Sequence, residues 1–217
     1  MIGFDFFLDR FGISLSVLFA FIGFMSFIYS LATIKEKGHR LEYYLMLLLI
    51  VGSGIGVVLT YNLLLIFIFW EISTFSIWRA VGYHRKDESL TSANITFLIN
   101  FGAATLMLIG LVMLYLDNGT FNIFEIKVYN NLASLFILIG ILTKSVTIPM
   151  HIWLAPAYSA IPSAIGGCLA GIAENIGVIL FFRLFTTGYY FSPEFFMTVA
   201  WLAIVSSIVA GGIALRS

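Results

Sequence analysis

The sequence predicts an all-α polytopic membrane protein of about seven transmembrane helices, one of them broken near Lys144–Pro149. Three observations predict it. Hydrophobic residues make up 61% of the chain and charged residues 10%, and the mean hydropathy is +1.05, far from the composition of a soluble domain. The apolar runs reach the roughly 20 residues that a helix needs to cross a bilayer. Within each run the apolarity is continuous rather than alternating, which favours helices over the strands of a barrel.

The runs define the elements in order. The first span is Phe11–Ile34. The second, Tyr43–Tyr61, is followed almost at once by the third, Leu63–Tyr83, with Asn62 as the polar punctuation. The fourth is Ser92–Leu116. The fifth, Leu132–Trp153, is interrupted near Pro149. The sixth is Ser163–Phe185 and the seventh Phe195–Leu215. The loops are too short for a soluble domain, so residues 1–217 read as one membrane domain. Gly52 with Gly56, and Gly167 with Gly171, form GxxxG pairs expected at helix-packing seams. They describe a tightly packed bundle and say nothing about its activity.

Composition also excludes function classes. The formal charge is zero, so there is no basic footprint for nucleic acid, and the expected environment is the lipid bilayer. The lone cysteine, Cys168, can form no intrachain disulfide. His39, His84 and His151 are scattered and no CxxC occurs, so no metal or cofactor site is expected and no catalytic residue is assigned. Asp5, Asp9 and Arg10 precede the first span without a basic leader, so no signal peptide is expected. Ala210–Leu215 still reads as helix interior, as in a naturally short chain or part of a longer one.

Lysine and arginine placement predicts orientation. Lys35, Lys37, Arg40, Arg79, Arg85, Lys86 and Arg216 fall on one face, and Arg10, Lys127 and Arg183 on the other. The first face is therefore expected in the cytoplasm, with the N-terminus outside and the C-terminus inside. Arg79 and Arg183 are expected to extend towards the headgroups.

Three ionisable residues fall near the middle of spans: Glu71 in FIFWEISTF, Lys144 in GILTKSVTIP and Glu174 in LAGIAENIGV. Each costs about 2.5–3.5 kcal/mol at the bilayer centre on insertion scales. Interhelical ion pairing would explain them singly; three in seven helices, of mixed sign, point to a polar pathway. Burial in lipid disfavours a charged amine and a nearby carboxylate favours it. A lysine whose carboxylate partner can approach or withdraw is thus suited to moving protons, and Glu71 is the expected partner of Lys144 by depth. Pro149 has no N–H, so the carbonyl of Ser145 loses its helical partner beside Lys144. Open backbone at membrane depth is tolerated where protein or a water-lined cavity satisfies it. Thr143, Ser145, Thr147 and His151 add polar groups there; His151 is equally readable as a helix-end histidine bonded to backbone or as a proton relay. Glu174 is expected against a neighbouring helix. Trp70, Trp78, Trp153 and Trp201 read as packing or interface residues.

These segments resemble a known family. NLLLIFIFWEIS (Asn62–Ser73) resembles the glutamate-bearing helix of the antiporter-like subunits of respiratory complex I, Mrp-type cation/proton antiporters and membrane-bound hydrogenases. GILTKSVTIPMHIWLAPAYSAIPSAI (Gly140–Ile165) resembles their lysine-bearing broken helix and following loop, and AGIAENIGVILFFR (Ala170–Arg183) the next helix. DNGTFNIFEI (Asp117–Ile126) resembles the loop before the break. The resemblance implies a five-helix repeat over residues 43–185, flanked by a helix at 11–34 and a final helix at 195–215. It further implies a proton path through Glu71 and Lys144; the residues themselves add His151 and Glu174 as further candidates and place the break at Ser145 and Pro149. Three departures stand out: a second five-helix repeat is not present in the chain, Asn175 stands where many members carry lysine, and WLAPA (Trp153–Ala157) replaces WLPDA. A half-sized member is the expectation.

The functional expectation is a membrane subunit of a multisubunit ion-translocating complex, respiratory, hydrogenase-related or Mrp-like, contributing a proton or cation half-channel. Its expected partners are other membrane subunits, further antiporter-like ones among them, with redox chemistry, if any, in those partners. The short PSAI loop points to the hydrogenase-related or Mrp-like branch. The alternative is a structural subunit that kept the fold and lost the path, which Asn175 favours and retention of Glu71 and Lys144 disfavours.

Overall fold

A computed structural model describes residues 6–34, 39–186 and 193–214, with side chains at 185–186, 193–196 and 213–214 left aside. Lys35, Lys37, Arg216 and Asp5, which entered the charge reading, lie outside the described residues. The described chain is nearly all helix. Helix α1 is Arg10–Thr33, α2 Arg40–Val58, α3 Leu63–Val81, α4 Asp87–Asn118 and α5 Asn131–Lys144. A short 3-10 turn, Met150–Trp153, leads into α6, Leu154–Ala160. Then come α7 (Ser163–Cys168), α8 (Asn175–Thr186) and α9 (Pro193–Ala214).

Among the described residues, five segments are long and apolar enough to cross a membrane: α1, α2, α3, α4 and the composite Ser163–Leu184. Two shorter apolar helices, Asn131–Lys144 and Met197–Gly212, accompany them. The expected fifth span is therefore split, as the proline suggested. The expected sixth is one path built from α7, a π-helical turn at Leu169–Ala173 and α8.

Local chemistry sets the helix ends. Asp9 caps α1 by accepting from Gly12 N–H, and Asn62 caps α3 by accepting from the N–H groups of Leu64 and Leu65, each satisfying donors that a helix start leaves open. Asn130 does the same for α5 through Leu132 and Ala133. Helix α4 opens with Asp87 and Glu88 in its first turn and closes at Gly119 in the left-handed region, φ 71°. Its 32 residues span about 48 Å, more than a hydrocarbon core, so it projects beyond or tilts across one. At its end Asn118 stitches the loop: its amide donates to Leu114 O and Val128 O, and its carbonyl accepts from Lys127 and Val128 N–H.

Neighbouring helices α1 to α5 lie side by side in sequence order, and α8 closes against α5 and α2. Among the described residues, the interior holds two apolar clusters. One gathers Tyr43, Ile50, Trp153, Ile165 and Leu169, the other Trp70, Met107, Leu111, Ile141 and Leu180. Large apolar residues such as Val17, Phe21, Leu98, Leu116 and Ile208 point outward, as a lipid-facing surface requires and a water-facing one does not. Of the expected glycine seams, Gly171 lies close against Ile22 of α1 and Gly56 against Phe69 of α3, whereas Gly52 faces open space.

Candidate functional site

Lys144 is the last residue of α5 and only 1% exposed. Its ammonium reaches across to α3 and donates to Thr74 Oγ1 at 3.0 Å. It lies 5.6 Å from the centre of the Trp70 ring, within cation–π range. The Thr74 hydroxyl in turn donates to the Trp70 carbonyl at 3.0 Å. The expected partnership with Glu71 is one of charge at a distance: the two groups interact electrostatically, but no Glu71–Lys144 contact occurs among the described ion pairs. Glu71 Oε1 is buried and has no hydrogen-bond partner among the described residues. Thr74 is a residue that sequence reasoning missed. The available signal was its place three residues after Glu71, on nearly the same helix face.

The backbone break is wider than Pro149 alone predicts. Helix α5 stops at Lys144, and Ser145–Pro149 carries no regular helix. A residue before proline is pushed away from the α region, so the disruption spreads towards the N-terminus. Val146 adopts φ 57°, an outlier for a β-branched residue. The Ile148–Pro149 bond is cis. The loosened polar groups are then picked up one by one. Thr147 N–H donates to Leu142 O, Ile148 N–H to Ser206 Oγ of α9 at 2.9 Å, and Trp153 Nε1 to Thr143 O at 3.0 Å. Trp153 is a packing residue, as expected, and a clamp on the break as well.

Further buried polar atoms without a described partner sit on the elements around Lys144: Ser73 Oγ on α3, Asn100 Oδ1 on α4, and Ser145 Oγ and His151 Nδ1 in the break. His151 makes none of the described hydrogen bonds or ion pairs with Lys144 or Glu71. Glu174 is half-buried and accepts from the Tyr158 hydroxyl of α6 at 2.6 Å, so it does face a neighbouring element. Beside it, Glu174 N–H bonds back to Leu169 O in the five-residue reach of a π turn. Asn175 is exposed and donates to Ala170 O and Gly171 O, taking up carbonyls of that turn. Asn175 therefore serves its own helix and points away from the interior.

Arg183 corrects the headgroup expectation. It is 1% exposed. Its guanidinium meets Asp9 Oδ1 at 3.2 Å, donates to the Val58 carbonyl and lies 4.1 Å from the Tyr61 ring centre. The Tyr61 hydroxyl donates to the other Asp9 oxygen at 3.1 Å. Burial by itself raises the Asp9 carboxyl, but the Arg183 charge and hydrogen bonds from Arg183, Gly12 and Tyr61 hold it below its ordinary value. Arg79, at the opposite end of the bundle, pairs with Glu42, which also binds Arg85 at 3.0 Å. Sequence proximity to a span end suggested headgroup contact for Arg183; a carboxylate and a backbone carbonyl within reach decided otherwise.

A glutamate helix, a buried lysine at a helix break and a flanking bundle thus occupy one interior. Residues 60–217 match the family model described as NADH:quinone oxidoreductase/Mrp antiporter, TM. The chain belongs to this family. It is an integral membrane protein. A Na(+)/H(+) antiporter subunit of Bacillus subtilis is 31% identical over 80% of the chain, which covers 22% of that protein. The like-named protein of Alkalihalophilus pseudofirmus is 29% identical over 99% of the chain and 28% of that protein. The chain thus spans less than a third of these curated relatives. Among solved structures, a chain of respiratory complex I from Thermus thermophilus with bound aureothin shares the fold at TM-score 0.78 and 21% identity, over 98% of this chain and 48% of that one. A chain of the Mrp complex from Dietzia sp. DQ12-45-1b gives TM-score 0.70 and 21% identity, over 83% of this chain and 35% of that one.

Proposed function

We propose that this chain is a membrane subunit, or the matching part of one, in a multisubunit ion-translocating complex, and that it supplies one half of a proton or cation path through Glu71 and Lys144. The observation that carries the reading is the fully buried Lys144 at the end of a broken helix, in electrostatic reach of a half-buried Glu71. An ammonium at that depth has a large desolvation cost that packing alone does not repay. The polar atoms of Glu71, Ser73, Asn100, Ser145 and His151 that lack a partner among the described residues are the kind of groups that ordered water satisfies; they lie on α3, which holds Lys144 through Thr74, on α4, which packs along α5, and in the break itself. His151 and Glu174 are secondary members of the path: His151 for its free ring nitrogen, Glu174 for its carboxyl on the helix that follows the break.

In this reading α2, α3, α4, the broken α5–α6 and the α7–α8 path form a five-helix repeat, with α1 and α9 flanking it. The complementary half of the path lies outside these 217 residues. The complex sits in the cell membrane with its lysine- and arginine-rich face in the cytoplasm, among further antiporter-like subunits. The kinship to sodium/proton antiporter subunits supports the Mrp-like branch.

A structural role without conduction is the second reading, favoured by the outward turn of Asn175. One experiment separates the two. Lys144→Ala is introduced into the assembled complex, and proton and sodium flux are followed in proteoliposomes. Loss of flux with intact assembly supports the path; unchanged flux with intact assembly would sink it and leave the structural role.

A further inference from the structure

We infer that Thr74 is a positioning residue that gives the Lys144 ammonium a second seat, one helical turn from Glu71, so that the lysine alternates between a hydroxyl and a carboxylate. This rests on the proposed path through Glu71 and Lys144. Thr74 is 2% exposed. Its single hydroxyl proton is committed to the Trp70 carbonyl at 3.0 Å, which leaves its lone pairs for the Lys144 amine at 3.0 Å. Glu71 lies three residues earlier on the same helix, about 4.5 Å along the axis, and its buried Oε1 has no hydrogen-bond partner among the described residues. The flexible four-carbon stem of lysine spans that interval by rotation.

The two seats differ in chemistry. A carboxylate attracts the ammonium by charge. A hydroxyl oxygen accepts from the ammonium and from the neutral amine alike, since each keeps N–H donors. The amine therefore keeps its Thr74 anchor in either protonation state. The same amine on Glu71 is held as a cation. Trp70 lines the Thr74 seat with its ring, so that the seat tolerates the charge without neutralising it.

The test uses the assembled complex containing this chain. Thr74→Val keeps the shape and removes the hydroxyl; Thr74→Ser keeps the hydroxyl. Expected results are a flux reduced about tenfold or more in Thr74→Val, with assembly intact, and recovery to near the parent rate in Thr74→Ser. A cryo-EM map of Thr74→Val is expected to show Lys144 turned onto Glu71. If Thr74→Val does not assemble, Thr74→Ala provides the same flux and map readings. Parent-like flux in the hydroxyl-free variants, while Lys144→Ala abolishes it, would overturn the second seat and leave the path standing. So would a map in which Lys144 keeps its position without the hydroxyl. Unchanged flux in Lys144→Ala would remove both.

Discussion

Arg183 and Asp9, 174 residues apart, are held together by a 3.2 Å contact that ties the start of α1 to the end of α8. The pair is asymmetric: the arginine side chain is 2% exposed and the aspartate side chain 22%. Removing one partner of a buried pair leaves the other charge uncompensated, at about 3–5 kcal/mol where burial is complete. Asp9→Ala strands the buried guanidinium and is expected to approach that range. Arg183→Met leaves only a carboxylate that water reaches, and is expected to lose less. Thermal unfolding of the two variants in detergent checks the order; equal losses would contradict it.

The same pair makes stability depend on pH. The Asp9 carboxyl is held below its ordinary 3.8. A group whose folded value is depressed contributes in full above the unfolded value and loses that contribution as pH falls through the folded one. The melting temperature is expected to decline as the pH drops below about 4, and Asp9→Asn is expected to flatten that part of the decline. An unchanged slope in Asp9→Asn would assign the acid sensitivity to other carboxylates.

Close approach of α8 to the end of α5 depends on Gly177. A Cβ there would lie 2.7 Å from the Ile141 carbonyl and 3.1 Å from the Ser145 N–H nitrogen, besides meeting the Ser145 hydroxyl. Two of these are backbone atoms and cannot swing aside. Gly177→Ala is expected to cost about 1–3 kcal/mol, as overpacking does, and to disturb flux by shifting the end of α5 that carries Lys144. Gly52→Ala, with nothing within 4 Å, is the control and is expected to be silent in both assays.

Much of this architecture is legible in the sequence, for a physical reason: lipid leaves few structures open to a backbone. Continuous apolar runs give the spans, and a lysine followed closely by a proline gives the broken helix. What the runs do not carry is pairing at a distance. Asp9 and Arg183 have no local signal, because each reads as an ordinary span-end charge until the fold brings them together. Thr74 had a local signal, its spacing from Glu71, but a threonine in a helix is more often bonded to its own backbone; Thr74 does this and receives Lys144 as well. Ser145–Pro149 shows the remaining gap. Pro149 marks where a helix fails, whereas the chain leaves the helix right after Lys144 because pre-proline geometry and the left-handed Val146 act together.

The break also depends on a helix far along the chain. Ile148 N–H has no helical carbonyl to bond and donates to Ser206 Oγ of α9 at 2.9 Å, while that hydroxyl donates to Leu202 O. Ser206→Ala leaves a part-buried N–H without its acceptor, at about 1–3 kcal/mol, and frees the segment next to Lys144 to move. The expected outcome is a lower melting temperature together with reduced flux in the assembled complex. Ser207→Ala is the matched control, since that exposed hydroxyl bonds its own helix at Ala203 O. A Ser206→Ala variant that melts and conducts like Ser207→Ala would show that α9 does not hold the break.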